Sequence, residues 1–310
     1  MLAGRRYIGP PTGPARCCAI QYRFDMPLPS GPSPWFGLSQ ETLRFLEIHP
    51  ARAVSIPGRG WRDFGDAVML FSGIEKEPFF NRLTAVRWPE DPHAFDERLR
   101  QALGLFTALE RKPYLWAIPG LSQPSDLVAR LAANGFVDQG GGFDMILCRD
   151  PAEQPDQPLP PGAVLERWNN PSDADRPALA SALALVIGES FGIPDARRAN
   201  LTAEIGLTLQ QPFFHAYMVR IDGEPVATGE RFTFDGASYV SSIGTRPAWR
   251  GLGLGRLITL ALARDSVAGS VDLVYLGVYA QNARAMRLYE RLGFEVLGPR
   301  SSDMLLERPR

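Results

Sequence analysis

The chain has 310 residues, of which 45% are hydrophobic and 22% charged, a balance typical of a globular protein in water. Its 33 basic and 34 acidic residues leave a formal net charge of −1, so no positive excess points to nucleic acid. No apolar run is long enough to cross a membrane. Three cysteines and three isolated histidines form neither a disulfide framework nor a metal site. We therefore expect a cytoplasmic protein without a metal and without a membrane segment.

Two stretches divide the chain. Residues 1–38 carry arginines and prolines but no apolar core, which predicts a disordered leader rather than a secretory signal, with Met26 as an alternative start. Residues 150–162, DPAEQPDQPLPPG, contain five prolines and predict an extended linker. We expect one domain at 39–149 and a second at 163–310.

The two halves end alike. The first closes with LAANGFVDQGGGFDMILCRDP (131–151) and the second with YERLGFEVLGPRSSDMLLERP (289–309). Each has a helical tail, a Gly-Phe pair, a short strand, a turn, and an Asp-Met pair that leads an apolar strand. The repeated order predicts a duplication. The three glycines at 140–142 predict a tight turn between strands.

The first elements of the second half are a helix and a meander. Residues 174–191 have helical periodicity and strong helix formers. Residues 213–245 contain β-branched and apolar runs separated by Asp222-Gly223 and Asp235-Gly236. Because Asp-Gly pairs favour tight hairpin turns, these runs predict an antiparallel meander.

After the meander, the pattern alternates between helix and strand. It predicts a helix from about 255 to 268, a strand at 271–279, and a helix at 283–292 with Asn282 as its N-cap. Strands 237–243 and 271–278 are joined by a helix, which predicts that they are parallel neighbours.

Between the meander and the first of these helices lies RPAWRGLGLGRL (246–257). A glycine-rich turn before a helix presents free N–H groups and the positive end of the helix dipole, which suit a phosphate. The alternative is a turn that only fits a tight connection. A dinucleotide-binding fingerprint does not fit, because position 256 is arginine and Asp272 stands at the start of the next strand.

Two motifs carry a resemblance to a known family. TRPAWRGLGLG resembles the acyl-CoA-binding motif of the GNAT acetyltransferase superfamily, Gln/Arg-x-x-Gly-x-Gly/Ala, with Arg250, Gly253 and Gly255 at its fixed positions. QNARAMRLYERLGFE (281–295) resembles the family's pattern Asn-x-x-Ala-x-x-Leu-Tyr-x-x-x-Gly-Phe. The resemblance covers about residues 162–310.

The resemblance implies an α/β fold with two GNAT-like domains, each a mixed, mostly antiparallel twisted sheet flanked by helices. In the first half FFNRLTAVRW (79–88) is the counterpart strand, but PEDPHAFDERLR follows where the glycine motif would stand. This predicts a tandem arrangement with a degenerate N-terminal half and an intact C-terminal half.

The function implied by the resemblance is N-acetyl transfer from acetyl-CoA, the co-substrate, to a primary amine by direct attack in a ternary complex. A small-molecule amine and a protein N-terminus both remain open as acceptors. The alternative from another class is a non-catalytic acyl-CoA-binding or regulatory module. The sequence does not indicate an oligomeric state.

The resemblance also implies the residues that bind acetyl-CoA. The pyrophosphate would lie on the backbone amides of the glycine loop, with pantetheine paired to the end of the preceding strand. An N–H group near Ile243 would then donate to the thioester oxygen. The expected binding residues are Ile243, Gly244, Thr245, Arg250, Gly251, Leu252, Gly253, Leu254, Gly255, Arg256, Asn282 and Ala285.

Two side chains are expected to move protons. Tyr289 is the candidate acid for the departing thiolate, because a phenol is protonated at neutral pH. Alternatively, Tyr289 only packs beside Ala285 and Leu292. Glu230 is the candidate base, with bulk water as the alternative. GESFG (188–192) matches a hydrolase motif, but we expect Ser190 in a loop that ends a helix.

Overall fold

The computed structural model describes Trp35 and residues 37–307. Most of the predicted leader, including Met26, lies outside the described residues. Leu38 is buried, and the ring of Trp35 approaches Gly298 so closely that a Cβ there would lie 2.2 Å from it. The end of the predicted leader is therefore packed against the folded chain.

The first half of the chain contains three helices and six strands among its described residues. They are α1 Gln40–Ala53, β1 Arg59–Asp63, β2 Val68–Ser72, β3 Arg82–Thr84, α2 Pro92–Ala108, β4 Tyr114–Ala117, α3 Leu127–Ala133, β5 Val137–Asp138 and β6 Gly142–Leu147.

The second half contains four helices and seven strands among its described residues. They are β7 Ala163–Asn169, α4 Arg176–Phe191, α5 Arg198–Thr208, β8 Phe214–Ile221, β9 Glu224–Phe234, β10 Ala237–Thr245, α6 Leu254–Ala268, β11 Leu273–Tyr279, α7 Ala283–Arg291, β12 Phe294–Leu297 and β13 Ser302–Leu305.

The meander predicted in the second half is confirmed. β8, β9 and β10 pair in antiparallel order, and both hairpins turn on an Asp-Gly pair with positive φ at each residue. That geometry matches the right-handed twist of the strands. The predicted parallel pairing of β10 with β11 is also confirmed, from Ala237 opposite Leu273 to Val240 opposite Leu276. Ser190 lies in the last turn of α4 rather than in a loop, because Gly192 (φ 67°) ends that helix two residues later.

The strands form two mixed, mostly antiparallel sheets, as expected. One sheet has the order β1-β2-β3-β4-β13-β5 and the other β12-β6-β11-β10-β9-β8-β7. The second sheet is covered on both faces. Tyr217 and Val219 pack toward α6, whereas Ala216 and Met218 pack toward α4 and α5. This alternation follows the two-residue period of a strand.

Each sheet holds one strand from the other half of the chain. β6 lies between β11 and β12 in the second sheet, and β13 lies between β4 and β5 in the first. These are the two strands that carry the repeated Asp-Met pair, and they take equivalent places in the two strand orders. The two halves of the chain therefore exchange one strand between their sheets. The domain boundaries at 149 and 163 stay predictions.

The glycines at 140–142 do not form the predicted tight turn: they lead from β5 into β6 and carry the chain from one sheet to the other. A Cβ on Gly141 would lie 1.9 Å from the carbonyl oxygen of Ser301, on the returning segment before β13. Glycine is needed here because two crossing backbones pass in contact.

The first half repeats the central unit of the second. β3 and β4 are parallel neighbours joined by α2, with Leu83 opposite Leu115, as β10 and β11 are joined by α6. β3 lies inside the stretch 79–88 that the sequence indicated as the counterpart strand.

The exchange gives a first testable prediction. A chain that begins at Gly162 would keep the glycine loop but lack β6, which lies between β11 and β12. Because both neighbours would lose their ladder partners, we expect this fragment to show no cooperative thermal transition by circular dichroism, whereas the full chain does. A fragment that melts cooperatively would contradict the prediction.

Candidate functional site

β10 and β11 separate at the end of their parallel pairing. The pairing stops at Val240 and Leu276, although both strands continue. β10 then bulges, with Ser242 at φ 51°, before it resumes its pairing with β9 at Gly244. The predicted pantetheine-binding residues Ile243, Gly244 and Thr245 thus lie on a strand edge that no longer pairs with β11. Such an edge can accept an extended chain.

The glycine loop leads directly into α6. Gly251 (φ 92°) and Gly253 (φ 76°) are left-handed, and Gly253 is the N-cap of the helix. Within the described part of the chain, no acceptor binds the N–H groups of Gly251, Leu252, Gly253 or Leu254. A Cβ on Gly251 would meet no atom within 4 Å. The loop therefore presents free donors to open space at a helix N-terminus, the arrangement that suits a phosphate.

The arginines of the loop bind backbone carbonyls. Arg250 donates to the carbonyl oxygens of Thr245 and Ser190, each at 3.2 Å, and so ties the loop to β10 and α4. Arg256 donates to the carbonyl oxygen of Pro155 at 3.0 Å. These contacts hold the loop in place and leave its backbone amides to face an anion.

The proline-rich segment packs against the same helix. Arg264 of α6 donates to the carbonyl oxygens of Pro151 and Gln154 and pairs with Asp156 at 2.6 Å. The side chain of Gln157 reaches the glycine loop, where a Cβ on Gly253 would lie 2.8 Å from its Nε2. The predicted linker thus packs against α6 and reaches the glycine loop at Gln157.

α7 positions the second motif. Asn282 caps the helix as predicted, because its side-chain oxygen accepts from the N–H of Ala285 at 3.2 Å. Tyr289 lies on the buried face, 7% exposed, with its ring edge toward Phe294. Burial raises the pKa of Tyr289 to about 12, so the phenol keeps its proton throughout the neutral range.

A cavity of about 700 Å³ lies between the two halves and borders both strands of the splayed pair. Five of the predicted site residues line it, whereas the glycine loop lies outside it and connects to it through β10. Those five are Glu230, Ile243, Asn282, Ala285 and Tyr289. The structure therefore gathers both candidate proton-transfer groups at one cavity.

Glu230 lies in the wall of this cavity on β9, opposite Ser241, and is 7% exposed. Burial raises its pKa to about 7, and hydrogen bonds with Ser242 and Ser241 oppose that rise. A carboxylate that titrates near neutral pH is suited to accept a proton.

Sequence reasoning missed Asp144, which the exchanged strand β6 brings to the cavity from the first half. Burial, with the charge of Glu47 as a smaller cause, raises the pKa of Asp144 to about 7. The repeated Asp-Met pair was the signal in the sequence, but it did not show that the two strands change sheets.

Most other carboxylates of the cavity wall already have partners. Glu47 pairs with Arg87 at 2.5 Å, Glu75 with Arg197 at 2.8 Å, and Glu204 with Arg59 at 2.6 Å. Asp303 accepts a hydrogen bond from the hydroxyl of Tyr114 at 2.8 Å. Among the described residues, Glu230, Asp144 and Asp303 are therefore the lining carboxylates without an ion pair.

No helix of the described chain is both long and apolar enough to span a bilayer. Nor do the described His, Cys, Asp and Glu side chains form a group that could hold a metal ion. The cytoplasmic location stays a prediction.

Comparison with known proteins gives three kinds of likeness. Residues 188–294 match the family described as "Acetyltransferase (GNAT) family". A curated relative, the mycothiol acetyltransferase of Nocardiopsis dassonvillei, is 37% identical over 97 residues, which are 31% of this chain and 27% of the relative. The chain covers between 19% and 59% of the length of the curated relatives it matches.

Two solved structures share the fold across most of the chain. A GCN5-related N-acetyltransferase from Kribbella flavida is 21% identical, with a TM-score of 0.60 over 83% of this chain and 95% of that one. A tandem GNAT protein from the clavulanic acid biosynthesis pathway is 16% identical, with a TM-score of 0.57 over 89% of each chain. At these identities the likeness shows the fold alone.

Proposed function

We propose that this chain, whose residues 188–294 match the GNAT acetyltransferase family, transfers an acetyl group from acetyl-CoA to a primary amine in the cavity between its halves. The observation that carries this function is the meeting of the splayed β10 edge, Glu230 and Tyr289 at one cavity. A non-catalytic acyl-CoA-binding module would need neither a base nor an acid there.

The glycine loop and β10 are suited to acetyl-CoA. The free amides from Gly251 to Leu254 would bind the pyrophosphate, and the unpaired edge at Ile243 to Thr245 would bind pantetheine as an added strand. Asn282 and Ala285, where α7 begins beside the cavity, complete the proposed binding residues. Bound in this way, the thioester would enter the cavity at the point where β10 and β11 separate.

The proposed reaction needs a base and an acid. Glu230 takes a proton from the acceptor ammonium, and the free amine nitrogen attacks the thioester carbonyl carbon. An N–H group near Ile243 stabilises the negative charge that develops on the carbonyl oxygen. The carbon–sulfur bond then breaks, and the hydroxyl of Tyr289 protonates the departing thiolate. The second proton that the attacking nitrogen loses as the amide forms restores the tyrosine hydroxyl. Both substrates are present at once, so no acetylated enzyme forms.

The first half is proposed to bind no acetyl-CoA. Its counterpart helix α2 begins at Pro92, and the side chain of Asp91 caps it by accepting from the N–H of Ala94 at 2.8 Å. A carboxylate therefore stands where a phosphate would have to bind, and the two charges repel each other. The curated relatives are named mycothiol acetyltransferases, which favours a small-molecule acceptor over a protein N-terminus.

Acetyl-CoA binding tests this function through Gly253. In Gly253→Val the side chain would displace Gln157 and crowd the amides assigned to the pyrophosphate, so we expect at least about tenfold weaker binding, from the loss of charge-assisted hydrogen bonds. Calorimetry of the full chain measures the dissociation constant.

Gly223→Val is the control for backbone strain, because Gly223 also has a positive φ (86°) but lies in the β8–β9 hairpin. Both variants carry the same backbone strain, about 1–2 kcal/mol. Unchanged affinity in a folded Gly253→Val protein, or an equal loss in the control, would contradict the assignment.

A further inference from the structure

The carboxylate of Asp144 borders open space at the floor of the cavity. Asp144 on β6 lies opposite Gly277 on β11. A Cβ built on Gly277 would have the Oδ1 of Asp144 at 3.7 Å and no other neighbour within 4 Å in the described part of the chain. Gly277 has no left-handed φ, so the backbone does not require glycine there. Because Gly277 has no side chain, there is open space beside the carboxylate of Asp144.

The strand register places the open space at Gly277 between the carboxylates of Glu230 and Asp144. Glu230 is opposite Ser241, and Asp144 is opposite Gly277. The parallel register of β10 and β11 ends at Val240 and Leu276, one residue before Ser241 and Gly277. The four residues therefore form one row across the sheet, with small residues in its middle where the strands separate. An acceptor that reaches the thioester has Glu230 on one side and Asp144 on the other.

The equivalent place in the first sheet is filled. Asp303, the aspartate of the other exchanged strand, lies opposite Trp116 instead of glycine. The guanidinium of Arg82 stacks on that ring at 3.8 Å from its centroid, and Tyr114 donates to Asp303 at 2.8 Å. By contrast, no described residue forms a hydrogen bond or an ion pair with the side chain of Asp144. A half-buried carboxylate without a partner is still costly, and the raised pKa of Asp144 reflects that cost.

We propose that Asp144 positions the acceptor by binding its ammonium group over Gly277, so that the first half supplies charge recognition to the reaction of the second. This inference rests on the proposed function. The acceptor it fits is a cationic amine with an apolar or aromatic body, because Trp116, Tyr239 and Tyr279 line the adjacent walls. Aromatic faces also attract such cations.

Two probes that differ mainly in charge test the role of Asp144. The dissociation constants of 2-phenylethylamine and 2-phenylethanol are measured by calorimetry on the full chain without acetyl-CoA, at about pH 8, where the carboxylate is ionised. We expect the wild-type protein to bind the amine at least about tenfold more tightly than the alcohol, the effect of one charge-assisted hydrogen bond. In Asp144→Asn the preference should fall to within about threefold.

Two further variants separate charge from space. Asp303→Asn is the matched control, since its carboxylate already has a partner, and it should keep the preference. Gly277→Val keeps the charge but fills the open space, and it should weaken binding of both probes. The proposed role of Asp144 is overturned if the wild-type protein shows no preference for the amine, if Asp144→Asn keeps that preference, or if Asp303→Asn loses it equally. Acetyl-CoA affinity, measured separately, decides the proposed function and shows that each variant is folded.

Discussion

Replacing Tyr289 by Phe is expected to lower turnover by about 10²- to 10⁴-fold while the dissociation constant of acetyl-CoA changes little. The substitution keeps the ring and its edge contact with Phe294 but removes the proposed proton donor. Because burial raises the pKa of Tyr289 to about 12, the wild-type phenol holds its proton across the neutral range, and the loss should be similar at every pH in that range.

Steady-state kinetics with any amine that the enzyme acetylates measures this effect. Tyr217→Phe is the control, because it also removes the hydroxyl of a buried tyrosine in the second half, one that donates to Asp265 at 2.7 Å and does not line the cavity. It should retain turnover. Full turnover in Tyr289→Phe would return this tyrosine to a packing role and strengthen the binding-module alternative.

Replacing Glu230 by Gln is expected to lower kcat/KM by about 10²- to 10⁴-fold and to change its pH dependence. A base acts in its ionised form, and burial raises the pKa of Glu230 to about 7. In the wild-type protein kcat/KM should therefore rise as the pH increases through 7, and in Glu230→Gln this rise should become smaller, with the ionisation of Asp144 as its remaining cause. The pH dependence of kcat/KM is also measured for Asp144→Asn, because the pKa of Asp144 is likewise raised to about 7. A rise that persists in full in Glu230→Gln and disappears only in Asp144→Asn would contradict the role of Glu230.

Thermal unfolding shows whether the loss in Glu230→Gln is chemical or structural. The pKa of Glu230 is raised from its ordinary value of 4.5 to about 7 in the folded chain, so the unfolded chain releases this proton first. The wild-type protein thus loses stability from this group as the pH rises from 4.5 to 7, and ionised Glu230 remains unfavourable above that range. At about pH 8 Glu230→Gln should melt no lower than the wild-type protein.

Features that depend on a few neighbouring residues were predictable from the sequence. The Asp-Gly pairs set both hairpins of the meander, since short-range backbone preferences decide a two-residue turn. Asn282 was identified as an N-cap from its place before a predicted helix, and the capping hydrogen bond forms within three residues. The glycine loop and the parallel pairing of the strands around α6 follow from local spacing and from the handedness of the crossover.

Only the tertiary structure decided which sheet receives β6 and β13, and therefore that Asp144 reaches the same cavity as Glu230 and Tyr289. Both strands carry the same Asp-Met pattern, and a strand's own residues set which side chains share a face but not which distant strand it pairs with. The pKa values near 7 of Glu230 and Asp144 depend on burial by segments far away in the chain. Local sequence thus determined the glycine loop and its flanking elements, whereas long-range pairing and burial created the cavity where we propose that the acceptor binds.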